Sequence, residues 1–120
     1  MGKVSKTKIK ERAKKKKEKL GKLIRRLVKE KKPLWLKVAS YLARPRKKKI
    51  EVNLAKIDKL AKPNETILVP GKVLGSGNIK KDVKVAAFEF SEEARRKLGS
   101  NALSIEKLLE SKEKNIRLII

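Results

Sequence analysis

A strand that is apolar on both faces and leads directly into a capped helix constrains the fold of this 120-residue chain more than any other feature. Residues 83–90 (VKVAAFEF) place two valines and an alanine on one face, and an alanine and two phenylalanines on the other. A strand with two apolar faces is typical of a sheet covered on both sides. Ser91 follows as the predicted N-cap of a helix that stops at Gly99, with acidic residues in its first turn and basic residues in its last.

Short strands and helices alternate around this central strand. The predicted elements are strands at 50–54, 66–69, 102–103 and 115–120 and helices at 55–61 and 105–111. Such alternation indicates a mixed or parallel sheet with helices packed against it. In the last strand, Ile116, Leu118 and Ile120 are predicted to share one face. The fold class is therefore predicted to be α/β.

Two glycine-containing segments lie between the strands. Pro70-Gly71 is predicted to end the strand at 66–69, and Gly75-Ser76-Gly77 to reverse the chain with positive φ at both glycines. Neither segment matches a nucleotide-binding motif. Val73 follows Gly71-Lys72, where a Walker motif needs Ser or Thr, and Lys80 occupies the third glycine position of GxGxxG. We interpret both segments as turns.

The positive charge is concentrated in the first part of the chain. Residues 1–49 hold 22 basic and 3 acidic side chains, a net charge of +19, whereas residues 50–120 hold 14 basic and 10 acidic side chains, a net charge of +4. We therefore predict a highly basic helical amino-terminal region or arm at 1–49 and a globular α/β domain at 50–120. Such asymmetry indicates a polyanionic partner.

Two amphipathic helices are predicted within the basic region. The first has apolar residues at helical spacing between Leu20 and Val28, opposite a basic face, so that one side can pack on protein while the other meets phosphate. The second begins at Pro33. Trp35 lies on its apolar stripe and is predicted to be a core residue. Tyr41 lies off that stripe, which leaves core packing and base stacking both open.

The composition excludes several kinds of chemistry. The chain has no Cys and no His, which rules out disulfides, Cys/His zinc sites and imidazole catalysis. Glu92 and Glu93 are adjacent on a helix and point in different directions, and no nucleophile has an identifiable base. We expect a protein that is not an enzyme, with no metal, cofactor or small-molecule substrate.

Targeting signals are also missing from the sequence. No apolar run approaches the ~20 residues of a membrane span, and the basic amino terminus leads into no apolar signal core. The expected location is therefore cytoplasmic, with no membrane partner.

Candidate RNA contacts are basic and amide side chains outside the predicted apolar faces. They are Lys14, Lys15, Lys16, Lys17, Arg25, Arg26, Arg44, Arg46, Lys47, Lys48, Lys49, Asn53, Lys72, Lys80, Lys81 and Lys84. Residues 44–49 (RPRKKK) place five cations beside a proline that fixes one backbone angle. The lysines at 72, 80, 81 and 84 flank the glycine turn and are predicted to extend the cationic surface there. With four aromatic residues, the chain lacks a base-stacking platform, so recognition should rest on phosphates and RNA shape.

Three segments in order carry a family resemblance: RPRKKKIEVNLAKI (44–57), PGKVLGSG (70–77) and VAAFEFSEEARRKLG (85–99). They resemble the archaeal and eukaryotic large-subunit ribosomal protein family called L-eighteen-e, a sister of the bacterial L-fifteen family, over roughly residues 34–109. The resemblance implies a globular part of repeating strand–strand–helix units. It also implies a structural role in the ribosome, binding and stabilising large-subunit rRNA beside neighbouring large-subunit proteins.

Two other classes fit the charge alone, namely an architectural DNA-binding protein and a cationic membrane-surface protein. An architectural DNA binder is expected to offer a symmetric dimer surface or an apolar wedge on an arm, and the sequence suggests neither. A membrane binder needs bulky exposed apolar residues, which here are committed to packing. The resemblance favours the ribosome. One departure from the family pattern is SKEK at 111–114, where members often carry an Asn-Pro-Lys-Gly turn.

Overall fold

The structure is a computed structural model that describes residues 18–45, 49–111, 113 and 115–120. Two compact units divide the chain, residues 1–49 and residues 50–120.

In the described residues of the first unit, two helices pack against each other, α1 (Glu18–Lys29) and α2 (Pro33–Leu42). The predicted apolar face of α1 is buried throughout: Leu20, Leu23, Ile24, Leu27 and Val28. The basic side chains opposite this face are exposed: Lys19, Lys22, Arg25, Arg26 and Lys29. The amphipathic helix predicted from the spacing is therefore confirmed.

A left-handed residue joins the two helices. The main-chain N–H of Lys31 donates to the carbonyl oxygen of Val28 at 3.2 Å, and Lys31 has a φ of 56°. This conformation is common just after a helix, where glycine normally adopts it without strain. Pro33 then occupies the first turn of α2, where its missing N–H has no helical partner to lose. Trp35 is buried, as its place on the apolar stripe predicted.

The second unit is a five-stranded sheet with three helices. Its elements are β1 (Glu51–Asn53), α3 (Leu54–Leu60), β2 (Thr66–Leu74), β3 (Lys84–Phe90), α4 (Glu92–Leu98), a 3₁₀ turn (Gly99–Asn101), β4 (Ala102–Ser104), α5 (Ile105–Ser111) and β5 (Ile116–Leu118). The strand order is β1-β2-β3-β4, β5 pairs with β2, and every pairing is parallel. The predicted α/β class, with a helical region before it in the chain, is confirmed.

Strand β2 does not end at Pro70-Gly71, so that prediction was wrong. The strand continues to Leu74, and its register against β3 shifts between Val69 and Lys72. A bulge of this kind accommodates a proline, which has no N–H to donate to the ladder. Beyond the bulge, the N–H of Lys72 donates to the carbonyl oxygen of Ile50 at 3.0 Å.

The core of the second unit lies between one face of the sheet and the helices α3 and α4. It contains Val52, Leu54, Ile57, Ala61, Ile67, Val69, Val73, Val83, Val85, Ala87, Ala94, Leu98 and Ile119. Residues of both faces of β3 are buried, as the apolar pattern predicted, including Val85 and Ala86. The Ser91 hydroxyl accepts a hydrogen bond from the N–H of Ala94 at 3.1 Å, and Gly99 has a φ of 56°, so both predicted ends of α4 are confirmed.

In the final strand segment, the residue that is buried in the core differs from the predicted set. β5 covers Ile116–Leu118, and the residue that reaches the core is Ile119, whose N–H donates to the carbonyl oxygen of Leu68 at 3.0 Å. Ile120, which was predicted to share a face with Ile116 and Leu118, is 48% exposed. Regular alternation stops at Leu118, because the chain leaves the strand there.

Candidate nucleic-acid interface

The exposed face of α1 is the densest basic surface in the described part of the first unit. Arg25 and Arg26 lie on this face with Lys19, Lys22 and Lys29. The only acidic residues between positions 18 and 45 are Glu18 and Glu30. The five basic residues of this face therefore outnumber these two carboxylates, and a net positive surface is the electrostatic condition for binding phosphates.

Tyr41 and Arg44 form a stacked pair at the end of α2. The Arg44 guanidinium lies 4.5 Å from the centre of the Tyr41 ring, a cation–π distance, and Tyr41 is only 5% exposed. A buried ring with a guanidinium on its face is not available for stacking on a base. The two interpretations of Tyr41 are thereby resolved in favour of packing, and the ring orients a predicted phosphate ligand.

Several predicted contacts lie outside the described residues. These are Lys14, Lys15, Lys16, Lys17, Arg46, Lys47 and Lys48. Of the predicted run at 44–49, Lys49 is described and exposed, Pro45 is exposed, and Arg44 is half-buried.

The four lysines predicted to extend a surface around the glycine turn do not form one group. Lys72 lies level with Glu51 on β1 and Glu89 on β3, whereas Lys84 lies level with Thr66 at the start of β2. Six positions of β2 therefore separate Lys72 from the level of Lys84, which at ~3.3 Å per residue is roughly 20 Å. Lys72 also has two carboxylates as strand neighbours, which lowers the local positive potential.

Lys80 and Lys81 lie next to the end of α3 and differ in their exposure. The carboxylate of Asp58 accepts the main-chain N–H groups of Lys80 at 2.9 Å and Lys81 at 3.2 Å. The Lys81 ammonium donates to the carbonyl oxygens of Asp58 and Ala61, where it satisfies the carboxyl end of the helix. The Lys80 side chain is exposed. Lys81 is therefore engaged within the protein, while Lys80 faces solvent.

Asp58 is held in its charged form by these contacts. Its pKa lies below the ordinary value of 3.8, chiefly because the Lys80 N–H bonds to the carboxylate, with the Lys81 N–H and the charges of both lysines adding to the effect.

Asn53, another predicted contact, precedes α3 and is exposed, and its side chain makes no capping hydrogen bond to the helix. Its amide therefore faces solvent.

The glycine loop is fixed from two sides. The Lys97 ammonium donates to the carbonyl oxygens of Gly75 and Gly77, both at 2.8 Å, and pairs with Glu93 at 3.0 Å. The carbonyl oxygen of Ser76 accepts the N–H of Ala55 at 3.1 Å. The hydrogen bond from Lys97 lowers the pKa of Glu93 below its usual value. The loop is thus a rigid element that presents exposed residues.

The two glycines of this loop are required for different reasons. Gly77 has a φ of 86°, as predicted. Gly75 has no positive φ, so the prediction for it was wrong, and a Cβ there would lie 2.6 Å from the Cβ of Glu93. At Gly75 the absent side chain instead permits close approach of α4.

Sequence reasoning missed three internal partnerships of basic residues. Besides Lys97, Lys56 donates to the carbonyl oxygen of Ile120 at 2.7 Å, and Arg117 pairs with Glu65 at 3.0 Å. The N–H of Lys62 and the side chain of Arg117 together lower the pKa of Glu65. Sequence spacing signals only the i,i+4 pair of Glu93 and Lys97, because the other partners are distant in the chain.

Two further observations bear on the kind of site. Within the described residues, no group of three or more acidic side chains is placed to hold a metal ion. Among the helices that the structure describes, none combines the length and the apolar character that a membrane span requires.

Comparison with known proteins gives a consistent result. A family model described as ribosomal proteins 50S-L15, 50S-L18e and 60S-L27A matches residues 8–101. The large ribosomal subunit protein eL18 of Archaeoglobus fulgidus is 52% identical over 93 residues, which cover 73% of this chain and 80% of the relative. The protein of the same name from Sulfurisphaera tokodaii is 45% identical over 103 residues, 82% of this chain and 87% of the relative.

Proposed function

Because the chain belongs to the family of ribosomal proteins 50S-L15, 50S-L18e and 60S-L27A, we propose that it is a structural constituent of the large ribosomal subunit. The resemblance to the L-eighteen-e family is confirmed by this membership. In the proposed role, the chain works in cytoplasmic ribosomes, binds large-subunit rRNA through lysine and arginine contacts to phosphates, and lies beside other large-subunit proteins. The role involves no catalysis.

The observation that carries the RNA part of this proposal is the two-sided character of α1. One side is completely buried, and the other presents five exposed basic residues. A solvated basic face on a helix that is fixed by packing loses little entropy on binding, so each phosphate contact retains more of its free energy.

Residues 44–49 are proposed as a second part of the same interface. Arg44 rests on Tyr41, and Pro45 restricts the backbone next to it. A guanidinium held on a buried ring loses less conformational entropy on binding, so it should contribute more per contact than a lysine of the low-complexity segment 14–17.

The test compares two variants of equal charge loss. Incorporation into large subunits is measured on sucrose gradients. It should fall far more when Arg46, Lys47, Lys48 and Lys49 are replaced by Ala than when Lys14, Lys15, Lys16 and Lys17 are replaced. Equal losses of incorporation in the two variants would mean that residues 44–49 contribute only general positive charge and no specific contact.

A second experiment measures how binding of the unmodified chain to a large-subunit rRNA fragment depends on salt. The logarithm of the binding constant should fall with the logarithm of the salt concentration, with a slope of about 0.9 for each duplex phosphate contact. A flat salt profile would contradict electrostatic binding altogether.

A further inference from the structure

A second group of lysines lies at the amino-terminal edge of the parallel sheet. α3 starts where β1 ends and finishes shortly before β2 begins, so its carboxyl end lies at the edge where the strands start. Lys59 lies in the last turn of α3, and Lys62 lies three residues further on. The bonds from Lys80 and Lys81 to Asp58 bring the segment before β3 to the same place. The side chains of Lys59, Lys62 and Lys80 are all exposed.

Two nearby carboxylates, Asp58 and Glu65, already have cationic partners. Asp58 accepts two main-chain N–H groups and lies beside the positive charge of Lys81, whose ammonium is bound to the end of α3. Glu65 accepts the N–H of Lys62 at 2.6 Å and pairs with Arg117 through both carboxylate oxygens. These two negative charges are therefore offset by Lys81 and Arg117. Asp82, which is exposed before β3, accepts a hydrogen bond from the neutral Asn101 amide at 3.0 Å, so the three exposed lysines face one further carboxylate and leave a net positive charge.

Lys84 does not belong to this group, although it starts β3 at the same edge. Val85 packs in the core with α3 residues, and neighbouring residues of a strand point to opposite faces. Lys84 consequently lies on the face of the sheet away from α3. The surface is defined by Lys59, Lys62 and Lys80, and we refer to it as the α3 lysine surface.

We propose that the α3 lysine surface is a second RNA-binding site, which contacts phosphates independently of the basic region before residue 50. The inference rests on the proposed ribosomal function and adds a site on the nearly neutral unit. RNA is favoured over a protein partner because lysine is depleted in the cores of protein interfaces, and the only large exposed apolar side chain on α3 is Leu60. Hydrogen bonds to Asp58 hold the main chain at Lys80, so binding requires little ordering of this segment.

The experiment uses the full chain and two variants that each lose three charges. The test variant carries Lys59→Ala, Lys62→Ala and Lys80→Ala. The control variant carries Arg95→Ala, Arg96→Ala and Lys107→Ala, which removes three exposed cations of the same unit on α4 and α5. Affinity for a large-subunit rRNA fragment is measured over a range of salt concentrations, and circular dichroism checks that both variants fold.

The test variant should bind on the order of 10- to 100-fold more weakly at moderate salt, with a salt slope lower by about two to three. The control variant should change much less. Equal losses in both variants, or no loss in the test variant while the unmodified chain binds normally, would overturn the α3 lysine surface and leave the proposed function intact. Failure of the unmodified chain to bind rRNA at all would refute both.

A second measurement avoids the need for a folded variant. Brief acetylation of the unmodified chain, read by mass spectrometry, should show that rRNA protects Lys59, Lys62 and Lys80 but leaves Lys107 reactive. Unchanged reactivity on rRNA binding would overturn the proposal. Protection that requires another ribosomal protein and is not produced by rRNA alone would overturn it in favour of a protein contact.

Discussion

The basic residues of α1 lie on the exposed side of a helix whose other side is buried, whereas several basic residues of the second unit turn back onto the protein. In the second unit the ammonium groups of Lys56, Lys81 and Lys97 donate to main-chain carbonyl oxygens. Arg117 pairs with Glu65. The same residue types form a candidate RNA surface on α1, whereas in the second unit several of them form internal cross-links and only others, such as those of the α3 lysine surface, are left to contact RNA.

Helix length accounts for part of this difference. α1 has 12 residues and a continuous apolar stripe, while α3, α4 and α5 have seven residues each. About four carbonyl groups at the end of any helix lack a partner within the helix, which is a large share of a short one. Lys81 donates to such carbonyls at the end of α3. Lys56 and Lys97 instead donate to carbonyls outside the helices, those of Ile120 and of the glycine loop. Fewer cations of the second unit are therefore available to RNA than its number of basic residues suggests.

The largest expected effect concerns the close main-chain contacts on which the second unit depends. A Cβ on Gly71 would lie 2.1 Å from the carbonyl oxygen of Ile50, a main-chain atom that cannot rotate away. We expect Gly71→Ala to lower the free energy of unfolding by about 3 kcal/mol, the upper end of overpacking costs. Chemical denaturation measures this. In the control, Gly99→Ala, the added Cβ meets nothing within 4 Å, so the loss reflects backbone conformation alone. A loss from Gly71→Ala no larger than that of the control would contradict the contact argument.

The next effect separates the two uses of cations. Removing Arg25, Arg26 and Lys29 together by substitution with Ala should weaken binding to rRNA on the order of 100-fold near physiological salt, if each side chain neutralises one phosphate. The free energy of unfolding should change by less than about 0.5 kcal/mol per site, because these side chains are exposed.

Lys97→Met is the matched opposite case. It keeps the apolar stem but removes the donor to Gly75 and Gly77, so unfolding should become easier by about 1 kcal/mol. RNA affinity should stay within a factor of about two, because Lys97 is engaged within the protein and its loss removes one charge that is not proposed to contact RNA. Both variants are measured by denaturation and by RNA titration. The α1 variant should lose RNA affinity and keep its stability, whereas Lys97→Met should lose stability and keep its RNA affinity. Strong effects of Lys97→Met on RNA binding would remove the distinction between the units.

Acid should affect the second unit through its bound carboxylates. Asp58, Glu65 and Glu93 each have a pKa below the ordinary value of 3.8 for Asp or 4.5 for Glu. A lowered folded-state pKa contributes stability above the ordinary value, and that stability is lost as pH falls through the folded-state pKa. Amide exchange of β2 and β3 should therefore accelerate as pH falls below about 4.5, after correction for intrinsic rates. Asp58→Asn should make this dependence shallower, and an unchanged profile would contradict the assignment.

The smallest effect concerns two residues other than glycine that have a positive φ in the described part of the chain, one in each unit. Lys31 has a φ of 56° and Asn64 a φ of 67°. Asn tolerates this conformation better than Lys, because its short polar side chain bonds to the local main chain. Lys31→Gly should therefore raise the free energy of unfolding by about 0.5 to 1 kcal/mol, and Asn64→Gly should change it less. Thermal unfolding compares the two, and a larger gain at Asn64 would reverse the expectation.

Local signals in the sequence predicted the elements that depend on local chemistry. The stripe from Leu20 to Val28 predicted α1, and Ser91 and Gly99 predicted both ends of α4, because caps and helical faces involve residues a few positions apart. The continuation of β2 through Pro70-Gly71 was missed. It depends on Ile50, twenty residues earlier, whose carbonyl oxygen accepts the N–H of Lys72 beyond the bulge.

In the candidate site, too, only the features that depend on residues a few positions apart were predictable. The basic face of α1 follows from helical periodicity alone. The separation of Lys72 from Lys84 depends on strand register, and the engagement of Lys81 depends on its contact with α3. Neither is visible in a one-dimensional pattern. All of the RNA contacts remain predictions, and those at residues 14–17 and 46–48 also lie outside the described residues.

Strand β2 receives partners on one edge from two distant parts of the chain. Lys72 lies level with Glu51, 21 residues earlier, and Thr66 lies level with Ile116, 50 residues later. Joining segments this far apart carries an entropic cost of loop closure that neighbouring strands avoid. During synthesis, residues 66–68 therefore have no partner strand on that edge until residues 116–118 have left the exit tunnel. The second unit is expected to complete its sheet only once residues 116–118 are free to pair with β2.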